Sequence, residues 1–184
     1  MMNPRFSYTR HQRQPLLALW GDASGVTMLE FALVGPAFIA LIIAIFQTAM
    51  LFLAAQGLET AAEASGRLLL TGQAQGASYT ASQFQTAACT TLPPYLSCSR
   101  LYVDVTTVSS FSAASLGAPT ITYDAKGQVT NNFAYSPGSS GAIVVMRLMY
   151  IWPTVTGPFG FSLVTTGSRD HLIVASSVLK AENF

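Results

Sequence analysis

From Phe31 to Phe46 every position is apolar, glycine or proline, and after Gln47 and Thr48 the apolar run resumes from Ala49 to Ala55. About 20 helical residues cross a hydrocarbon core at 1.5 Å each, so the stretch predicts a membrane-spanning helix with room for tilt. Pro36 predicts a bend near Ala32 and Leu33, and Ala40, Ala44 and Thr48 form a stripe of small residues. The pattern then changes. Leu58, Ala61, Ala62, Ser65 and Leu69 fall at helical spacing, while Glu59, Glu63 and Arg67 take the opposite face, with Glu63 and Arg67 set four apart for an ion pair. Thr71 and Gly72 supply a stop. The expectation is one helix from about Thr27 to Leu70, its first half lipid-facing and its second half amphipathic.

After the helix the periodicity shortens. Phe84, Ala87 and Ala88 predict a short helix over Thr80 to Thr90, and Pro93-Pro94 breaks it. "LYVDVTTV" from Leu101 alternates, with Leu101, Val103 and Val105 on one face; "AIVVMRLMYIW" from Ala142 and "HLIVASSVL" from His171 are rich in strand formers. Three or four antiparallel strands are expected. Ser109 to Ala118, Gly127 to Gly141 and "WPTVTGPFGF" from Trp152 read as exposed loops. A sheet with one solvated face needs a cover on the other, and the amphipathic half of the long helix provides it. The predicted fold class is therefore α+β: a long amino-terminal helix packed on a small antiparallel sheet.

Composition agrees with a membrane-anchored protein. Of the 184 residues, 9% are charged and 51% hydrophobic, far from the quarter charged that is usual in soluble domains. The net charge is +1 with basic residues scattered singly, which excludes the clustered positive face that nucleic acid requires. Residues 1–25 carry Arg5, Arg10 and Arg13 against Asp22 alone, so the positive-inside rule keeps that end cytoplasmic and exports the rest. A cleaved secretory signal would have a shorter apolar core, and the small-residue candidate Ala62-Glu63-Ala64 lies well past this one.

One residue resists that simple division. Glu30 is a carboxylate just inside the apolar run, and an ionised carboxylate in lipid costs roughly 2.5 to 3.5 kcal/mol at the bilayer centre. A helix amino terminus would favour it by only about 0.3 to 1 kcal/mol. Cleavage after Gly25 would create a free amine at Val26, one turn from Glu30, as the missing cation within one subunit or between two. Pairing between subunits would set the axial stagger of neighbouring helices, since other registers leave the carboxylate alone in lipid.

"GVTMLEF", with Gly25, Val26, Glu30 and Phe31, resembles the processing site of the Flp-type prepilins, a branch of the type IV pilin superfamily. The longer stretch from Gly25 to Gly76 resembles the TadE-like pseudopilins of bacterial tight-adherence systems, with the spaced cysteines, "LYVDV", "YIWP" and the final "ENF" fitting as well. The resemblance implies a leader over residues 1–25 removed by an aspartyl-type prepilin peptidase, a transmembrane helix over 26–55, and an exported periplasmic domain over 56–184 that includes the helix extension 56–70. It implies an inner-membrane assembly role, with other pilins, pseudopilins and the pilus assembly machinery as partners. The alternative is an uncleaved single-pass anchor presenting a periplasmic binding domain.

Cys89 and Cys98 are the only cysteines, and on the exported side an oxidising compartment favours a disulfide between them. With His11 across the membrane, His171 alone cannot complete a metal site with two thiols. "SRDH" from Ser168 offers serine, aspartate and histidine, but neighbours on a strand face opposite ways, so Asp170 cannot orient His171. No catalytic residue, cofactor, metal or small-molecule substrate is expected. Asp104, Asp124 and Arg147 read as exposed cross-sheet charges of little weight, and Tyr102, Tyr123, Tyr135 and Tyr150 as either adhesive surface or packing.

Overall fold

A computed structural model describes residues 25–167 and 169–183. The basic leader, with Arg5, Arg10, Arg13, His11 and Asp22, lies outside the described residues, as do Ser168 and Phe184. Helix α1 runs Val26–Leu70 and continues through Pro36 without interruption. Up to Leu41 it belongs to a unit of its own; the residues from Ile42 onward form a compact unit.

Along α1 the environment changes at Ala54. The large apolar side chains before it, from Val26 to Leu53, are mostly exposed. From there Ala54, Gly57, Leu58, Ala61, Ala62, Ser65, Gly66 and Leu69 are buried, a stripe set by the 3.6-residue repeat. The helix ends where the sequence predicts. Gly72 takes a left-handed φ of 72°, which a side chain would resist, and the Leu70 carbonyl accepts from the Glu182 amide at 2.8 Å. The expected Glu63–Arg67 ion pair is not formed; Arg147–Asp104 is the one salt bridge among the described residues. An exposed pair at that spacing contributes only about 0.2 to 0.5 kcal/mol, too little to hold two solvated side chains together.

A single-turn helix α2, Gln73–Gly76, follows, unanticipated because four residues carry no periodicity. Helix α3 spans Ala81–Thr90, with Phe84 and Ala88 buried. Thr80 caps it: its hydroxyl accepts from the Gln83 amide while the Gln83 side chain accepts from the Thr80 amide, satisfying donors that a helix start leaves open.

The sheet has three antiparallel strands, β1 Leu101–Val108, β2 Ile143–Pro153 and β3 Asp170–Lys180, in the order β1-β2-β3. Leu101, Val105, Val144, Met146, Leu148, Tyr150, Ile173 and Ala175 share one core with the buried stripe of α1 and with Phe84 and Ala88 of α3. Gly66 faces Leu179 and Met146, which a β-carbon there would meet in ordinary contact at 3.5 and 3.6 Å. β2 runs from the Leu70 end of α1 toward Gln47: Met146 meets Gly66, and the segment after Trp152 reaches Gln47.

The second face of the sheet is not solvated, contrary to the simple alternation. Val145, Met149 and Ile151 point away from α1 yet are almost fully buried. The chain between β1 and β2 covers them: Phe133 stacks on Tyr102 with centroids 5.7 Å apart, the Leu116 carbonyl accepts from Ser176 Oγ, and the Gly117 carbonyl from Arg147 Nη1. At the β1 edge the Val105 amide donates to Ala134 O and the Ser136 amide to Val105 O, so a short parallel segment occupies part of that edge.

Candidate functional site

The residues expected to carry function lie at the start of α1, and every one of them is exposed. Gly25 immediately precedes the helix, Val26 opens it, and Glu30 stands one turn further. A β-carbon at Gly25 would meet nothing within 4 Å, and its backbone is not left-handed; neither packing nor conformation within the described chain requires glycine there. Glu30 has no cationic partner among the described residues. The Phe31 ring, 76% exposed, lies along the helix beside Gly35.

The polar interruptions of the apolar surface are handled locally. Thr48 Oγ1 donates to the Ala44 carbonyl at 2.8 Å, removing a free hydroxyl from that face. Gln47 Nε2 donates to the Val155 carbonyl at 3.4 Å, in the loop after β2. Sequence reasoning anticipated neither partner.

The helix is held to the rest of its unit by a cross-linked loop. Cys89 and Cys98 form a disulfide, with Cα atoms 5.5 Å apart, and the loop between them leans on α1. Tyr95 donates its hydroxyl to the Leu53 carbonyl at 3.2 Å, and a β-carbon at Gly57 would meet both Pro93 Cγ and the Tyr95 hydroxyl at 2.8 Å. The same loop reaches the sheet, where the Ser97 amide donates to the Tyr150 hydroxyl at 2.9 Å. One disulfide loop thus joins helix and sheet at the level where α1 burial begins.

Asp104 and Arg147 correct the expectation of exposed charges. They pair across β1 and β2, and Asp104 is only 6% exposed. Its carboxylate accepts from Arg147 Nε, from Arg147 Nη2 and, on the other oxygen, from the Ala134 amide. Asp124 lies elsewhere, accepting from the Lys126 and Gln128 amides in a turn.

The four tyrosines sort as packing. Tyr150 is buried, Tyr135 stacks on Phe84 at 5.5 Å, Tyr102 on Phe133, and the Tyr123 hydroxyl is buried. Burial pushes the Tyr102 and Tyr135 phenols above their ordinary range.

Asp170 and His171 open β3, paired with Pro153 and Trp152, and the His171 ring nitrogen meets the Leu163 carbonyl rather than a carboxylate. Among the described residues no three His, Cys, Asp or Glu side chains come together.

Comparison with known proteins finds one family match, confined to the start of α1 and its buried half. Residues 25–67 match the model of the family described as TadE-like protein. No curated protein and no solved structure matches the chain. The match begins at Gly25 and ends within the buried half of α1.

Proposed function

From the TadE-like segment at Gly25 to Arg67, we propose that the protein is a pilin-like component of an adhesive bacterial pilus apparatus. It is made as a precursor, trimmed after Gly25 by a prepilin peptidase, and anchored in the inner membrane by the exposed part of α1, with the sheet domain on the periplasmic side. Its work is assembly rather than catalysis, and its partners are other pilins and the pilus machinery.

The observation that carries this reading is the start of α1. A glycine with no packing demand stands immediately before the helix, and a carboxylate with no described counter-charge stands one turn inside it. Scission of the Gly25–Val26 bond supplies the cation. The new α-amine titrates at about 7.7 to 8.0 in water and is drawn to a carboxylate that otherwise faces hydrocarbon. Neutralising Glu30 in this way lowers the cost of placing it in lipid and makes the register of adjacent helices specific.

Intact mass of the membrane-extracted protein tests the processing step, with Val26 expected as the first residue. An amino terminus at Met1 or Met2 overturns the pilin reading in favour of an uncleaved anchor. Glu30→Gln is expected to insert and fold normally while lowering filament assembly several-fold; unchanged piliation would exclude charge pairing.

A further inference from the structure

The loop between β2 and β3 turns toward the apolar end of α1. From Trp152 to Gly167 it contains no charged residue. Its first part lies beside Phe46, Gln47 and Met50, forming an apolar cleft with Trp152, Pro153 and Val155. Gln47 is the first polar side chain after the sixteen-residue run from Phe31 to Phe46, and its side chain is tied to the Val155 carbonyl. The loop therefore stands at the level where the apolar surface of α1 first meets a polar group.

Its tip is built outward. Phe159 adopts a left-handed backbone, with φ 56° and ψ 23°, a conformation that a bulky side chain resists. The ring gains no packing from this, being 82% exposed, with Val155 72% exposed nearby. The backbone at the tip closes on itself, Gly157 N donating to Phe161 O at 2.7 Å and Phe161 N to Pro158 O at 3.3 Å. Apolar side chains outside, internally paired backbone and no charge are what the boundary of a bilayer selects. A neighbouring aromatic such as Trp152 is enriched at the same depth.

We propose that the loop over residues 153–164 is a second membrane contact, seating Val155 and Phe159 in the headgroup and upper acyl region of the leaflet beside Gln47 of α1. This rests on reading α1 as a membrane anchor. Two contacts fix the domain against the membrane surface, where one helix alone would let it swing.

Tryptophan reporters in the full chain test the proposal. In a background carrying Trp20→Phe and Trp152→Phe, single tryptophans are placed by Phe159→Trp, Val155→Trp, Phe38→Trp or Phe111→Trp. Each protein is reconstituted in phosphatidylcholine and phosphatidylglycerol vesicles with or without bromine on the upper acyl carbons, or on the lower acyl carbons for position 38. Emission from positions 159 and 155 is expected to fall about twofold with the brominated lipid, as for an interfacially seated side chain, while position 111, at the far end of the sheet, keeps its emission. If position 38 is quenched and positions 155 and 159 are not, the loop contact is overturned and the anchor stands. If position 38 is also unquenched, the anchor reading itself fails. Shielding of positions 155 and 159 from both brominated lipid and aqueous iodide would mean that protein covers the loop, which also overturns the proposal.

Discussion

Asp104 is the residue on which the outer layer of the sheet converges. One oxygen serves Arg147 of the neighbouring strand and the other holds the Ala134 amide of the covering chain, so a single carboxylate joins two strands and a loop. A buried pair gains little over an apolar replacement, but removing one partner leaves an unneutralised charge and costs about 3 kcal/mol. Asp104→Ala is therefore expected to lower stability by that amount in denaturant titration, while the double change with Arg147→Met recovers the part due to the unpaired charge and leaves the Ala134 amide without its acceptor. Equal losses in both variants would show that the packing, not the charge, matters. Tyr135 supplies a pH dependence. Burial raises its phenol, so the folded state holds the proton more tightly than the unfolded chain. Stability is then level below the usual phenol range and declines as pH rises above about 10. Tyr135→Phe should flatten that alkaline decline, read by thermal melts across the range, and should also remove a buried hydroxyl that has no partner.

At the level of elements, α1 and the disulfide loop act as one joint. Closing the loop between Cys89 and Cys98, nine positions apart, stabilises by about 2.7 kcal/mol in the chain-entropy model. It also stiffens Pro93 and Tyr95 against Gly57. Gly57→Ala places a methyl 2.8 Å from both, so the loop must move or the helix must shift, an overpacking cost of about 1 to 3 kcal/mol. With both cysteines changed to serine the loop can yield, and the Gly57→Ala penalty should shrink. A double-mutant cycle by chemical denaturation reads this coupling, and simple additivity would contradict a rigid joint. The periodic parts of this joint were legible in sequence: the stripe from Leu58 to Leu69 and the inward set Leu101, Val103 and Val105 follow from helical and strand repeats. The Gly57 contact was not, because a close approach between a helix and a proline loop leaves no repeat to read. The Thr80 and Gln83 cap does leave a signal, a threonine followed three residues later by glutamine.

For the whole molecule, the change of environment falls inside one helix. The apolar run of the sequence ends at Ala55, and burial along α1 begins at Ala54. The expectation of one solvated face missed the double-sided burial of β2, although its nearly unbroken apolar run from Ile143 to Trp152 is what such burial leaves in a sequence. Val145, Met149 and Ile151 are covered by a Ser-, Gly- and Asn-rich chain whose cover depends on contacts such as Phe133 on Tyr102. With the outer face covered by that chain, the inner face of the sheet depends on α1. Removing the helix would uncover Leu101, Val105, Val144, Met146 and Leu148 together, a contiguous apolar patch of the kind monomeric proteins rarely expose beyond a few hundred Å². A chain beginning at Ile42 retains the full buried stripe from Ala54 to Leu69 and should give a cooperative melt in mild detergent. A chain beginning at Thr71 keeps all three strands and the disulfide but loses the stripe, and should aggregate or bind a hydrophobic dye without a melting transition. Size-exclusion chromatography with near-ultraviolet circular dichroism distinguishes the two. A monomeric, natively packed chain from Thr71 onward would mean that the helix only tethers a self-sufficient domain, and that the stripe from Ala54 to Leu69 is not part of its core.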